Sequence, residues 1–282
     1  AAESASTLAV AAMAFSGVDA AYSADLLEHA EALYRFADLH RDRYMTGIND
    51  AWGYYPSSHF VDELVWGALW LYRATGEASY LAKAEGDFAA HLESSFQSED
   101  PSSGYPWTLV WDDKKYGAVA LLAALTGKEK YKVYTEKWLD YWSVGYNGKR
   151  IAYSAGGQAF LSEWGSLRYS SNTGYVALWY ADAVRDYDGR YKQLGLSQIN
   201  YALGDNPEGR SYVVGFGVGS PMNPHHRAAH GSLTNNIYNP VATQNTLFGA
   251  LVGGPGQAND GASYVDDRAD FRSNEVALDY NA

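Results

Sequence analysis

Apolar positions recur with a helical period over most of the first two thirds of this chain. Residues 1–16 form an Ala-rich apolar segment that reads as a helix. In SADLLEHAEALYRFADLHR (23–41), Leu26, Leu27, His29, Ala30, Leu33, Phe36 and Ala37 make one stripe, with Ser23 as the expected N-cap. VDELVWGALWLYRATG (61–76) ends on Gly76, the residue type that closes a helix in the left-handed conformation. EASYLAKAEGDFAAHL follows at once, and 112–142 repeats the design: helix, Thr-Gly, helix. SLRYSSNTGYVALWYADAV and RYKQLGLSQINYALG make a further pair. The stretch 205–240, rich in Gly, Pro, Asn and Ser, reads as loop, and helical signals return at 241–252 and after 270. The count is about ten helices with almost no two-residue alternation. Helix pairs joined by tight turns, with long Gly- and aromatic-rich loops at the other end, predict an all-α toroid with one working face. No Pro/Ser/Thr-rich linker interrupts the chain, so 1–282 reads as one domain.

Composition narrows the partners. The net charge of −12 leaves no basic surplus to neutralise phosphates, which argues against nucleic acid and anionic membranes. No apolar run reaches membrane-spanning length. The absence of cysteine excludes disulfides and thiolate metal sites and suits a secreted bacterial protein. Aromatic residues are abundant, with 24 Tyr, 9 Trp and 9 Phe, and many flank polar loop residues. Such rings serve a core or stack on the C–H faces of sugars.

Two clusters carry candidate chemistry. The tail DDRADFRSNEVALDYNA (266–282) holds five carboxylates. Asp266, Asp267 and Asp270 precede a predicted helix near Phe271–Asn274, with Glu275 in its first turn. One reading is helix capping; the other is an active site. The second cluster, GFGVGSPMNPHHRAAHGS (215–232), places three of the seven histidines within six residues, beside Arg227. Adjacent His-His-Arg side chains diverge and the Arg repels a cation, so hydrogen bonding to a polyhydroxylated ligand suits His225, His226, Arg227 and His230 better than zinc.

These residues carry a resemblance to glycoside hydrolase family 9, the inverting β-1,4-glucanases with an (α/α)6 barrel. The tail matches the family's C-terminal signature at Tyr264, Asp266, Phe271, Glu275, Ala277, Asn281 and Ala282. The His loop matches the second signature at Ser211, Gly217, His225 and Arg227, departing at Gly219, where Asn, Lys or Arg is usual. QINYALGDNP, NTLFGALVGGP, DELVWGALWLYRATG and WTLVWDDKKYGA also look like family segments, so the resemblance runs through the whole chain.

The resemblance implies roles. Glu275 matches the general acid, whose raised pKa requires burial or nearby carboxylates such as Asp266. His225 and Arg227 match residues that bind sugar hydroxyls, and Tyr280 an aromatic beside the acid. Trp107, Trp164 and Tyr169 match aromatics lining the glucan cleft, with Tyr54 similar. SSHFVDE (57–63) looks like the family's calcium loop: Ser58, Asp62 and Glu63 offer oxygens, His59 its carbonyl, and Asp112 the remaining ligand. Capping of helix 61–76 is the alternative role for Asp62 and Glu63.

One element of the family is absent. Inversion needs a second carboxylate to activate water. In the family this base lies in an Asp-Ala-Gly-Asp motif, which this sequence lacks. The chain therefore reads as the C-terminal portion of the catalytic domain, an (α/α)6 barrel without its N-terminal helices, with the missing segment as an expected partner. The alternatives are a glucan-binding module without turnover and a partner-binding fragment.

Overall fold

The computed structural model describes residues 1–281, and the backbone gathers into two compact units. Ala282, the last position of the tail signature, lies outside the described residues.

The first unit comprises residues 1–98 and 111–135. Helices α1 (Ala2–Phe15), α2 (Ala20–Leu39), α3 (Val61–Thr75) and α4 (Ala78–Asp87) come first. A single π-helical turn over Phe88–Leu92 leads to the short α5 (Ser94–Gln97), and α6 (Lys115–Thr126) follows. The Ala-rich stripe of α1 is a packing face: Ala2, Ala5, Ala9 and Ala12 are buried, and α1 packs on α2 and α3. Small side chains let the backbones approach closely. Helix α6 is buried from Tyr116 through Ala123. Two turns are built alike. The Thr75 hydroxyl bonds the Leu71 carbonyl at 2.8 Å and Gly76 takes φ 74°; Thr126 bonds Leu122 at 2.7 Å and Gly127 takes φ 64°. The hydroxyl adds a second bond to a carbonyl of the last turn, and glycine adopts the left-handed cap at no steric cost.

The start of α2 differs from expectation. Asp19, not Ser23, is the N-cap and accepts from Tyr22 N–H. Ser23 already lies inside the helix, where its hydroxyl donates to the Ala12 carbonyl of α1 at 2.7 Å. The buried stripe of α2 is Leu26, Ala30 and Tyr34, while Phe36 is exposed.

The second unit comprises 99–110 and 136–282. Helix α7 (Glu129–Trp142) runs from the first unit into it, followed by α8 (Ser166–Ala183) and α9 (Arg190–Leu203), which pack together. Ala152–Tyr153 and Ala159–Phe160 pair as two short antiparallel strands. The rest is loop with two single-turn helices, α10 (Arg227–His230) and α11 (Phe271–Asn274). The predicted helix over 241–252 does not form. Its apolar residues act singly: Leu251 bridges Val213, and Phe248 packs over Gly215. The loops are stitched by backbone bonds, Tyr212 to Ala202, Val252 to Tyr212 and Gly253 to Glu275. Beneath them Leu167, Tyr201, Tyr212, Val252, Tyr264 and Tyr280 form a buried core. Among the described residues, no helix is long and apolar enough to cross a membrane.

Candidate functional site

Glu275 is positioned by backbone first. It does not lie in the first turn of a helix, as the sequence suggested. Helix α11 is one turn long, and Glu275 follows it as C-cap in extended conformation, φ −59° and ψ 144°. The helix is capped by Asp270, whose carboxylate accepts from Arg272 and Ser273. From there the chain pairs on both sides: His225 N–H bonds the Asn274 carbonyl at 2.7 Å, and Gly253 N–H bonds the Glu275 carbonyl at 3.0 Å. Asn274 is fully buried; its side-chain Oδ1 accepts the Tyr264 hydroxyl at 2.7 Å and its Nδ2 donates to the Val265 carbonyl. Asn281 closes the same loops by bonding Leu251 and Gly249. Tyr264, Asn274 and Asn281 thus act as scaffold for the glutamate.

Its side chain is held by two neutral donors. Trp164 Nε1–H lies 2.7 Å from Oε2, and the Tyr280 hydroxyl 2.9 Å from the same oxygen. Tyr280 is buried, and burial pushes its phenol far up, so it remains a donor. Room for that hydroxyl exists because residue 165 is glycine. With φ 68°, Gly165 would place a Cβ 2.6 Å from the Tyr280 oxygen.

A row of rings and one cation continues from Tyr280. The Arg168 guanidinium sits 4.9 Å from the Tyr280 ring and 4.5 Å from the Tyr169 ring. It donates to the Tyr169 hydroxyl at 2.6 Å and approaches Asp279 at 3.5 Å. Tyr169 in turn lies 5.4 Å from Trp107. Trp107 is fixed from α7 and α8: Trp138 Nε1–H donates to its carbonyl at 2.9 Å, and Thr173 bonds the neighbouring Thr108. Tyr169 is buried, whereas Trp107 and Trp164 keep 39% and 42% of their surface exposed, enough to offer a ring face. Arg168 was not singled out from the sequence. The available signal was a lone cation, beside a tyrosine, in a helix with no other basic residue.

Asp266 is spent elsewhere. Its carboxylate accepts from Met222 and Asn223 backbone N–H at 2.8 and 2.9 Å and from the Asn223 amide, clamping the His loop. The His225 Nδ1–H donates to the Arg268 carbonyl at 2.6 Å, which fixes the tautomer when the ring is neutral and leaves Nε2 as acceptor. His225 and Arg227 share a pocket of about 240 Å³ with His226, His230, Asn235 and Arg268. Arg268, also missed from the sequence, is buried and bonds Asn223, Val241 and Thr243. Tyr54 belongs to the first unit and is highly exposed.

The first unit gathers the predicted cation ligands. Asp62 is fully buried, accepting Lys114 N–H at 2.6 Å and facing His59 Nδ1 at 2.6 Å. Asp112 accepts Ser58 N–H at 3.0 Å. Glu63 Oε2 is buried without a hydrogen-bond partner. Burial and the adjacent Asp62 push the Glu63 carboxyl well above the usual carboxylate range. A buried, unpartnered carboxylate oxygen beside a second carboxylate calls for a proton or a cation. The donors therefore fit a hard divalent ion. The His59 carbonyl, the expected ligand, accepts the Ser57 hydroxyl at 2.6 Å, and it is the ring that reaches the acids.

Comparison with known proteins identifies the family. A family model described as "Glycosyl hydrolase family 9" matches residues 1–282. Endoglucanase B of Cellulomonas fimi is 51% identical over 285 residues, taking in 100% of this chain and 27% of that protein. Endoglucanase A of Bacillus pumilus is 47% identical, over 100% of this chain and 42% of its own length. Among solved structures, endoglucanase CelQ from Clostridium thermocellum complexed with cellotetraose matches with a TM-score of 0.86 at 41% identity, over 99% of this chain and 45% of that one. The chain thus spans less than half the length of each of these relatives. Matched along all 282 residues by the family model, it belongs to glycosyl hydrolase family 9.

Proposed function

We propose that this chain carries the proton-donor half of an inverting hydrolase of internal β-1,4-glucosidic bonds in cellulose and related glucans, acting outside the cell. The observation that carries it is the Glu275 carboxylate, held on Oε2 by Trp164 and Tyr280 in the same unit as the half-exposed Trp107. With Oε2 accepting from two donors, Oε1 is the oxygen that would pass a proton to the leaving group. Trp107, Trp164 and Tyr169 present the glucan chain, and His225 and Arg227 bind its hydroxyls. Tyr54, in the first unit, is assigned glucan binding on the resemblance alone. Asp266 serves the acid indirectly, through the loop it clamps. Glucan binding is supported by the cellotetraose bound to CelQ.

Hydrolysis with inversion also requires a base to take a proton from water as the water oxygen bonds the anomeric carbon and the glycosidic bond breaks. No Asp-Ala-Gly-Asp motif occurs here, so the base is assigned to a segment outside these 282 residues, which also supplies the first helices of an (α/α)6 barrel. Ser58, Asp62, Glu63, Asp112 and the His59 carbonyl would hold Ca2+, which would neutralise the buried acids and tie the 57–63 loop to residue 112.

Reducing-sugar release from a soluble β-1,4-glucan, beside cellotetraose binding, tests this reading. Glu275→Gln should lower any turnover by about 10²–10⁴-fold while binding persists. Unchanged turnover in Glu275→Gln, or no binding by the wild-type chain, would overturn it. The absent motif also favours a second reading, a glucan-binding module without turnover. Binding with no hydrolysis, even when the rest of the domain is supplied, would select it.

A further inference from the structure

We propose that the pocket formed by the His loop binds the carboxylate of an acidic sugar, a uronate or aldonate unit of a glucan chain, through Arg227, Arg268 and His226; this deepens the glucan reading above and rests on it.

Charge leads to it. The pocket of about 240 Å³ is lined by two arginines and three histidines and by no carboxylate, although the chain carries a net charge of −12. Three cations are buried among the described residues: Lys114, Arg168 and Arg268. Lys114 pairs with Glu3 at 3.0 Å, and Arg168 approaches Asp279 at 3.5 Å. Arg268 forms no ion pair among the described residues. Its hydrogen bonds end on neutral acceptors: the Pro240 and Val241 carbonyls, Asn223 Oδ1 and the Thr243 hydroxyl. Asp266 is linked to it only through Asn223, whose Nδ2 donates to the Asp266 carboxylate at 3.2 Å. A buried cation without a counter-ion is costly, and an anion in the pocket would offset that cost. Arg227 is also unpaired among the described residues, with a bond to the Thr234 carbonyl at 3.1 Å.

The histidines add a requirement for a hydroxyl. Ala229 N–H donates to His226 Nδ1 at 3.1 Å, so the neutral ring carries its proton on Nε2 and offers a donor. His225 is the reverse: its Nδ1–H donates to the Arg268 carbonyl at 2.6 Å, and Nε2 is left to accept. His230 is engaged with the Pro240 carbonyl at 2.9 Å. Guanidinium groups hold a carboxylate by charge-assisted bonds. The acceptor beside them suits a hydroxyl on the same ligand, which acetate or inorganic phosphate does not supply. His225 also forms a backbone bridge with Glu275, so an acidic unit held here would lie beside the segment that carries the proposed acid.

Titration calorimetry on the whole chain tests this, with D-glucuronate, D-glucose, acetate and inorganic phosphate at fixed ionic strength, and cellotetraose alongside. Expected is glucuronate bound at least ~10-fold more tightly than the other three small molecules. Asn236→Asp keeps the oxygen that accepts Tyr238 N–H at 2.9 Å and adds a negative charge to the pocket wall. It should weaken glucuronate by at least ~10-fold and leave cellotetraose unaffected. Asn236→Ala, the neutral control, should keep the preference for glucuronate. Glucuronate binding unchanged in Asn236→Asp would put the carboxylate elsewhere and overturn the proposal. An equal loss in Asn236→Ala would trace the effect to the loop instead of its charge, and would overturn it too. Acetate or phosphate as tight as glucuronate would reduce the pocket to a bare anion site and overturn its assignment to a sugar. Equal affinity for glucose and glucuronate, with cellotetraose still bound, would overturn this proposal alone. Binding of neither glucuronate nor cellotetraose would overturn the glucan reading with it.

Discussion

Glu275 depends on a side chain that is absent. Tyr280 reaches its carboxylate only because Gly165, at φ 68°, leaves open the volume that a Cβ would fill 2.6 Å from the hydroxyl. Gly165→Ala should cost about 1–2 kcal/mol for the left-handed backbone alone, with a further clash against Tyr280. In a Tyr280→Phe background the hydroxyl is gone, and the clash component should shrink while the backbone component remains. Urea unfolding of the two single variants and the double variant gives the coupling directly. Additive costs would mean that Gly165 is required for φ only. This relation could not be read from the sequence, where the two residues stand 115 positions apart and neither has a period to betray it. Glu275 was singled out through its signature, whereas its place in an extended segment could not be read there. The acids before it suggested a helix start, and one of them, Asp270, does cap a helix, but that helix ends before the glutamate.

At the scale of elements, legibility followed the strength of the local device. The Thr-Gly turns after α3 and α6 were readable because hydroxyl and glycine act within one turn of chain. The segment 241–252 was misread because its apolar residues serve separate loop contacts, and any apolar spacing can imitate a helix over so short a stretch. Two predictions belong here. Asp266 holds the Met222 and Asn223 amides, so Asp266→Asn, with one oxygen fewer and no charge, should raise hydrogen exchange at both amides and loosen the His loop. Exchange unchanged from wild type would remove the clamp assigned to Asp266. The second concerns the tie between α2 and α4. Arg41 makes a two-pronged pair with Asp87 at 2.9 and 2.8 Å and bonds Asp38, which Lys83 also reaches. Burial raises the Asp38 pKa, but the bonds from Lys83 and Arg41 outweigh it and leave the carboxyl below its ordinary value of 3.8. A carboxyl depressed in the folded state contributes stability above its unfolded pKa and loses it as pH falls through the folded value. The urea midpoint should therefore drop below about pH 4, and Asp38→Asn should flatten part of that drop. An identical acid limb in the variant would exclude Asp38 as a contributor.

The whole molecule poses the question of sufficiency. Glu275, its two donors and the ring row from Tyr280 to Trp107 occur together in the second unit, on loops fastened by Asn274 and Asn281 and, at Trp107 and Thr108, by Trp138 and Thr173. On the proposed function, that much would bind a glucan and protonate a leaving group. The reaction proposed also needs a second carboxylate, which inversion places about 6.5–9.5 Å from the acid, across the sugar, to take the proton from water. If that carboxylate resides on the N-terminal region of the domain, mixing the chain with that region, taken from a relative such as Endoglucanase B, should raise glucan hydrolysis well above that of either piece alone. The gain should vanish with Glu275→Gln in this chain and with replacement of either Asp of the motif in the other. Two chains are needed for such reciprocal loss, so it separates true complementation from a contaminating cellulase, which neither variant would touch. Full hydrolysis by this chain alone would place the base within its own 282 residues, and the acid's partner would then have to be sought among its own carboxylates.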